Sequence, residues 1–224
     1  MADRAVDKRR CVIIGGGGHG AVLIEAAQAC GDIDPVCVLD SDAKMWGGQL
    51  LGVPIKGGDE LLPTLLADGI TTFLIGVGGT GDNVPRCRLY ERALASGLRA
   101  CLLRHPAAII SPSAVLGPGT VVLAGAIVGT RVVTGANVIV NSGAILEHDC
   151  HIGAHVHLAS GATLAGGIRV AQAAHIGAGA TVREGVSIGA RAIVAAGAVV
   201  IRDVSEGDTV AGVPACSLSS RSRS

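Results

Sequence analysis

Residues 110–199 divide without interruption into fifteen blocks of six: ISPSAV, LGPGTV, VLAGAI, VGTRVV, TGANVI, VNSGAI, LEHDCH, IGAHVH, LASGAT, LAGGIR, VAQAAH, IGAGAT, VREGVS, IGARAI and VAAGAV. The first residue of each block is aliphatic except at Thr134, and the fifth is small or β-branched, as at Ala126, Val138 and Cys150. A period of six fits neither a helix nor a flat strand. It fits a triangular prism whose three faces take one block each, so that one coil takes eighteen residues.

The repeat predicts a left-handed parallel β-helix, an accepted exception to the right-handed crossover preference. We expect position one of each block to point inward, position five to turn a corner that admits only small side chains, and glycine to supply the corner dihedral angles. Ladder hydrogen bonds stack parallel coils ~4.8 Å apart, so about five coils make a rod of roughly 25 Å.

The N-terminal part reads as a strand, a glycine loop and a helix: RCVII (10–14), GGGGHG (15–20) and AVLIEAAQAC (21–30). Gly15, Gly17 and Gly20 satisfy GxGxxG, which lets backbone N–H groups and a helix N-terminus approach a pyrophosphate. Asp40 ends the next strand, PVCVLD (35–40), where it can bind a ribose hydroxyl. By itself this motif also fits a dinucleotide-dependent dehydrogenase.

Length argues against a dehydrogenase, because the alternating elements run out near residue 104, before a second mononucleotide half. The remaining candidates are the strands TTFLIGVG (71–78) and LRACLL (98–103), with a helix over VPRCRLYERALA (84–95). We therefore predict two domains, a Rossmann-like parallel α/β sheet in residues 1–104 and the left-handed β-helix in residues 105–224. The sheet can hold one nucleotide or nucleotide sugar in the loops that contain Gly17, Asp40 and Gly78.

Charge and cysteine content limit the classes of partner. The chain of 224 residues has a formal net charge of zero, which gives no electrostatic support to nucleic-acid binding or to a polybasic membrane anchor. Its seven cysteines include no CxxC pair, so neither a disulfide framework nor a zinc ribbon is indicated. The N-terminal residues MADRAVDKR do not resemble a signal peptide, and no apolar run spans a bilayer. We expect a cytoplasmic location.

Four histidines lie within ten residues of the prism, namely His148, His151, His155 and His157. A zinc site like that of the β-helical carbonic anhydrases is one interpretation, but neighbours around a corner point in different directions, and we predict no metal. The eighteen-residue coil places Gly166 over His148, and it places His148 and His157, nine residues apart, on opposite sides of the prism. The two histidines can meet only across a subunit interface, which predicts a closed cyclic trimer with shared sites.

His148 is followed by Asp149, and a carboxylate that orients an imidazole makes a competent general base. A surface histidine beside a surface acid is the alternative interpretation of the same pair. Cys150 occupies the small fifth position, so we expect it to be a packing residue rather than a nucleophile.

Four segments together resemble one family: IGGGGHG (14–20), ISPSAVLGPGT (110–120), LEHDCHIGAHVHLASGATLAGG (146–167) and VAGVPA (210–215). They are similar to the bacterial sugar acetyltransferases of the PglD and NeuD types, and the similarity covers nearly the whole chain. It implies acetyl-CoA as cosubstrate and N-acetylation of the 4-amino group of a nucleotide-linked amino-deoxy sugar for surface glycan biosynthesis. O-acetylation of sialic acid is the alternative within the family; a nucleotide-sugar-binding scaffold and a zinc lyase are the alternatives outside it.

The resemblance also assigns residues. His148 corresponds to the general base, Asp149 to the acid that increases its basicity, and His157 to a contact of acetyl-CoA. Further contacts with the coenzyme correspond to Gly166, Ala178 and Ala196. Contacts with the nucleotide sugar correspond to Gly17, Gly18, His19, Asp40, Ser41 and Gly78. Cys216 departs from the pattern, because lysine usually follows GVPA, and the tail SLSSRSRS (217–224) resembles a disordered segment.

Overall fold

The structure is a computed structural model, and it describes residues 8–79 and 81–218. The N-terminal elements are β1 (Arg9–Ile14), α1 (Gly18–Cys30), β2 (Ile33–Leu39), β3 (Gln49–Leu50), β4 (Val53–Gly57), α2 (Leu62–Ala67), β5 (Thr72–Ile75), α3 (Val84–Ala95) and β6 (Arg99–Ala100). They form one sheet in the order β3-β4-β2-β1-β5-β6, which is parallel except between β3 and β4. The predicted strand–loop–helix start is confirmed, and α3 covers the predicted helix at 84–95.

The inner strands of this sheet are buried on both faces, as is typical of parallel sheets. From Cys11 to Ile14 every residue of β1 is buried, which is typical of a strand covered on both faces. One side is covered by α2 and α3. The other side is covered by α1, whose Leu23 and Ile24 pack in one apolar cluster with Val121 and Ile139 of the prism. The sheet is therefore fixed directly against the β-helix.

The β-helix is built from two- and three-residue strands: β7 (Leu103–Arg104), β8 (Ile109–Ile110), β9 (Val121–Val122), β10 (Ile127–Val128), β11 (Val133–Thr134), β12 (Ile139–Val140), β13 (Ile145–Leu146), β14 (His151–Ile152), β15 (His157–Leu158), β16 (Thr163–Leu164), β17 (Arg169–Val170), β18 (His175–Ile176), β19 (Thr181–Val182), β20 (Ser187–Ile188), β21 (Ile193–Val194), β22 (Val199–Val200), β23 (Thr209–Ala211) and β24 (Cys216–Ser217). They stack into three sheets. Registers such as Ile139 to His157 to His175 confirm the eighteen-residue coil.

The corner lies elsewhere in the block than expected. The turn falls on positions three and four. From the second block onward, position four takes a left-handed φ whether it is glycine or, as at Asn137 (55°), a residue with a side chain. Position five is not a corner: Ala126 and Cys150 point inward and are fully buried. Small side chains are favoured at position five because the side chains of positions one and five together fill the thin core of the prism.

Both ends of the β-helix differ from the expectation. Leu103 was expected in a strand of the N-terminal sheet, but it lies in β7, which pairs with β9 of the prism. The predicted boundary between residues 104 and 105 stays a prediction. At the other end, Ser217 is not disordered, because β24 pairs antiparallel with β23 and Leu218 donates to Thr209 O. The rest of the predicted disordered tail, residues 219–224, lies outside the described residues, as do residues 1–7 of the segment examined for a signal peptide.

Candidate active site

His148 and Asp149 form a hydrogen-bonded pair on one corner of the prism. His148 Nδ1 lies 2.8 Å from Asp149 Oδ2, and the two side chains are 60% and 40% exposed. They occupy positions three and four of their block, and Asp149 takes the left-handed corner conformation with a φ of 61°. The corner itself therefore turns the carboxylate toward the preceding imidazole, while Nε2 makes no hydrogen bond within the described residues.

Arg131 binds the same carboxylate from the preceding coil. Its Nε lies 2.6 Å from Asp149 Oδ1 and its Nη2 2.8 Å from Oδ2. The hydrogen bonds from Arg131, and secondarily that from His148, hold the pKa of Asp149 well below its usual range. Our sequence reasoning missed Arg131, although the same count of eighteen that links His148 to Gly166 also links Arg131 to Asp149.

Gly166 lies against the His148 ring, as the coil count predicts. A Cβ atom built on Gly166 would lie 2.6 Å from His148 Cε1 and 2.7 Å from Nε2, so the ring occupies the place of a side chain. Among the fifteen blocks, LAGGIR (164–169) is the only one with glycine at position three. Gly166 O accepts from Gly185 N, whereas the Gly166 N–H donates to none of the backbone acceptors in the described part of the chain.

His157 lies on the prism sheet opposite that corner, under the N-terminal domain. It is 5% exposed, and its Nδ1 lies 3.0 Å from Gly79 O. Asn141 Oδ1 accepts from Ser142 N, which turns Asn141 Nδ2 toward His157 Nε2 at 3.3 Å. Gly79 N also lies 3.3 Å from Nδ1, so Gly79 contacts this ring nitrogen through both of its main-chain polar atoms. Burial, together with the neighbouring His175, lowers the pKa of His157 to about 3.

His175 stacks on His157 with ring centroids 5.0 Å apart, as predicted. Helix α3 fixes this histidine column to the N-terminal domain. Asn83 Nδ2 donates to Ala173 O and Ala174 O at 3.1 and 3.0 Å, directly before His175. Sequence reasoning identified α3 but gave it no role at the site.

Arg86, in the first turn of α3, is 1% exposed. Its Nη2 donates to both Asn137 O and Asn137 Oδ1 at 3.0 Å. Burial lowers the pKa of Arg86 to about 10. We call the region where the N-terminal domain packs on the histidine column the junction. Within residues 8–79 and 81–218, four buried side-chain polar atoms lack a hydrogen-bond partner, and all lie at this junction: His19 Nε2, Asn83 Oδ1, Arg86 Nε and His175 Nδ1.

The glycines of the loop differ in their surroundings: some are closely packed, and others face open space. Gly20 is required for packing, since its Cβ would lie 2.2 Å from Gly15 O. Gly17 and Gly18 form the start of α1, and a Cβ on either would meet nothing within 4 Å. This is the open helix N-terminus at which a phosphate can bind.

His19 follows at the same helix start and lies against Gly78, whose Cβ would be 3.6 Å from His19 Cβ. Burial, and then the charge of Arg86, lowers the pKa of His19 to about 4. The structure thus brings Gly17, Gly18, His19 and Gly78 together at the carboxyl ends of β1 and β5.

Asp40 lies beside this loop and holds it in place. Its Oδ2 accepts from Gly16 N at 2.6 Å and its Oδ1 from Asp42 N at 2.8 Å. A pocket next to it is lined by Asp40 and Ser41 together with Ile14, Gly15, Leu39, Asp59, Val77 and Leu89. Trp46 borders the same loop, because its Nε1 donates to Asp40 O at 2.8 Å while 44% of the residue stays exposed.

Ala178 and Ala196 are stacked on a second corner of the prism. Both are exposed, and Gly197 N donates to Ala178 O at 2.8 Å, which fixes the stack. Cys150 points inward with its thiol 3.1 Å from Ala165 O, and burial raises its pKa. Within the described residues, no three His, Cys, Asp or Glu side chains are grouped so that they could hold a metal ion.

Cys216, which departs from the lysine expected from the family resemblance, lies exposed in β24. None of the described helices is both long and apolar enough to cross a bilayer.

Two family models match the chain: the PglD N-terminal domain at residues 10–93, and the bacterial transferase hexapeptide, in six repeats, at residues 131–166. Over 118 residues the chain is 42% identical to the UDP-N-acetylbacillosamine N-acetyltransferase of Bacillus subtilis (strain 168). That alignment covers 52% of either protein, so the match spans about half the length of this curated relative.

Solved structures match over a greater length. A variant of the perosamine N-acetyltransferase from Caulobacter crescentus, in complex with CoA and GDP-perosamine, is 40% identical, with a TM-score of 0.87 over 92% of this chain and 95% of that one. The acetyltransferase domain of PglB from Neisseria gonorrhoeae FA1090 is 37% identical, with a TM-score of 0.86 over 94% of this chain and 100% of that domain. WeeI from Acinetobacter baumannii AYE, at 23% identity and a TM-score of 0.71, shares the fold.

Proposed function

The chain belongs to the PglD-type hexapeptide-repeat sugar acetyltransferases, and from this we propose that it transfers the acetyl group of acetyl-CoA to the 4-amino group of a nucleotide-linked amino-deoxy sugar. The observation that carries the proposal is the pair of His148 and Asp149 placed against Gly166 on an uninterrupted hexapeptide prism. The names of the relatives support N-acetylation, with a UDP-linked or GDP-linked sugar as the substrate class. None of them favours O-acetylation of sialic acid.

In the proposed reaction the neutral sugar amine attacks the thioester carbonyl carbon, and a C–N bond forms. His148 Nε2 takes the proton from the developing ammonium while Asp149 holds the proton on Nδ1. The tetrahedral oxyanion is stabilised by a backbone N–H, for which Gly166 is the candidate because its N–H makes no backbone hydrogen bond in the described part of the chain. The C–S bond then breaks, and CoA leaves as the thiolate.

Both substrates have candidate binding surfaces. We propose that the coenzyme lies along the exposed column of Ala178 and Ala196, with contacts at Gly166 and His157. We propose that the nucleotide sugar binds at Gly17, Gly18, His19, Asp40, Ser41 and Gly78. The open helix start and the adjacent pocket support this second assignment.

We further propose that three chains form a closed trimer. His148 lies on the corner between the sheets of β13 and β14, whereas His157 lies in the third sheet, so one chain cannot bring both to one acetyl group. A neighbouring prism that places its His157 sheet beside the His148 corner would complete the site.

The test is release of CoA thiol from acetyl-CoA with a UDP-linked 4-amino-4,6-dideoxy sugar, GDP-perosamine and sialic acid as separate acceptors. We expect turnover with one of the two nucleotide amino sugars, and in His148→Ala a fall in kcat of roughly a hundredfold or more with a smaller change in the KM for acetyl-CoA. His151→Ala, which changes an exposed histidine on the adjacent sheet, is the matched control and should keep kcat within about twofold. Turnover with sialic acid alone, or with no acceptor, would contradict the proposal.

Nucleotide binding can be measured without turnover, because Trp46 is the only tryptophan in the chain and lies beside Asp40. Its fluorescence should change on titration with UDP or GDP. Gly17→Leu, which fills the open space at the helix start, should weaken that binding about tenfold or more, whereas Gln172→Ala on the prism should leave it unchanged. Equal affinity in Gly17→Leu would place the nucleotide elsewhere.

A further inference from the structure

Three side chains are joined in line on one corner of the prism: Arg131, Asp149 and His148. Arg131 makes two hydrogen bonds of 2.6 and 2.8 Å to the two oxygens of Asp149, and Oδ2 of the same carboxylate lies 2.8 Å from His148 Nδ1. Planar, two-point binding of a carboxylate is the geometry that favours arginine over lysine, since only the guanidinium presents two parallel N–H donors.

The fold itself supplies this alignment. Arg131 and Asp149 both occupy position four of their blocks, both take left-handed φ values (56° and 61°), and they are stacked one coil apart. Asp149 N also donates to Thr130 O at 2.9 Å, which fixes the two corners relative to each other. The guanidinium therefore meets the carboxylate from below, on the side away from Gly166.

We propose that Arg131 is a positioning residue that fixes the Asp149 carboxylate in the orientation required to hold the proton on His148 Nδ1. This inference rests on the proposed acetyl transfer and extends it to a residue in the coil below the pair. Without Arg131, Asp149 can rotate between solvent and His148. With it, Oδ2 stays on Nδ1, and Nε2 stays an acceptor for the proton that leaves the amine.

Arg131 also reduces the charge that Asp149 presents to His148, because one carboxylate is shared between two donors. The other groups that face the pair are few: the coil above contributes Gly166 and Gly167, which lack side chains, and Glu147 is exposed beside it. Removal of Arg131 should therefore favour the imidazolium form of His148, because a positive charge is lost from its surroundings whichever way the carboxylate turns.

The experiment compares Arg131→Met and Arg131→Lys with Arg191→Met as the matched control. Arg191 is also a position-four arginine with a left-handed φ (55°), and it pairs with Glu206 on a different corner. In Arg131→Met we expect kcat to fall about tenfold or more, the KM for acetyl-CoA to stay within about twofold, and the acid limb of the kcat profile to move to higher pH. Arg131→Lys should restore the acid limb and part of kcat, and Arg191→Met should match the unchanged protein.

Two outcomes would overturn the inference: an unchanged kcat and acid limb in Arg131→Met, or a raised KM for acetyl-CoA with the limb in place, which would make Arg131 a coenzyme contact. An NMR titration of the His148 imidazole, assigned by its loss in His148→Gln, is independent of turnover. Its midpoint should lie at higher pH in Arg131→Met than in the unchanged protein. If no acceptor is acetylated, the proposed function fails, and the titration still decides the role of Arg131.

Discussion

At Gly166 the space that a side chain would fill is occupied by the imidazole of His148. Its φ is not in the left-handed range, so this glycine is not needed for backbone conformation, in contrast to Gly167 at the next position (φ 69°). The sequence alone predicted this contact, because a count of eighteen needs no side-chain geometry. It also offered Asp149 as the partner of His148, but it did not extend the count of eighteen from Asp149 down to Arg131, and for that reason Arg131 was missed.

We predict that Gly166→Ala lowers kcat about tenfold or more while the protein stays folded. The new Cβ must displace the His148 ring, since 2.6 Å to Cε1 is far inside van der Waals contact, whereas the backbone accepts alanine without strain. Steady-state kinetics and a urea denaturation curve separate the two effects. Gln172→Ala, at the same block position on another corner, is the control, and an unaltered kcat in Gly166→Ala would show that the ring is free to move.

At the scale of the element, the hexapeptide corner depends on the left-handed residue at position four. Sequence reasoning placed the turn one position too late, because positions four and five both favour small residues and the pattern does not distinguish a left-handed backbone from an inward-facing side chain. Asn137 shows that a residue with a side chain can occupy the turn, because it takes the left-handed φ and also accepts a hydrogen bond from Arg86.

Ala173 takes a left-handed φ of 57°, and its methyl group can form no hydrogen bond that would offset the strain. This position is therefore expected to cost stability. Left-handed backbone costs a non-glycine residue about 1–2 kcal/mol, and the added freedom of glycine in the unfolded chain offsets about 0.4–1 kcal/mol of the relief. We predict that Ala173→Gly raises the free energy of unfolding by about 0.5–1 kcal/mol. Ala190→Gly, at a turn position without a left-handed φ, should lower it by about the same amount, so two changes of equal sign in denaturant titrations would contradict this account.

At the scale of the whole molecule, period and order of elements were predictable, because each depends only on where apolar residues and glycines recur. The junction between the domains was not. Arg86 lies in a helix that the pattern identified and Asn83 directly precedes it, but their partners are backbone carbonyls of the prism some 50 to 90 positions away. A sequence pattern contains no information about which carbonyls two separate domains bring into contact.

The buried histidines of this junction make stability depend on pH. The pKa of His157 is lowered by burial to about 3, below its usual value of 6.5, so between these limits the unfolded chain binds a proton that the folded chain does not. Stability is therefore lost as the pH falls below about 6.5. At fixed protein concentration, the free energy of unfolding should fall by about 1 kcal/mol more between pH 6 and pH 5 in the unchanged protein than in His157→Gln. Equal slopes would mean that His157 is accessible to protons in the folded state.

The junction also limits how the two halves could be recombined. Asn137 accepts Arg86 through its main-chain and its side-chain oxygen, and Ala173 and Ala174 accept Asn83, so side chains of the N-terminal domain are paired with particular acceptors of the prism. A chimera that joined this prism to the N-terminal domain of another family member would bury those acceptors against foreign side chains. The two domains behave as a fitted pair, and a change of sugar specificity is better sought by altering loops within the N-terminal domain than by exchanging the domain.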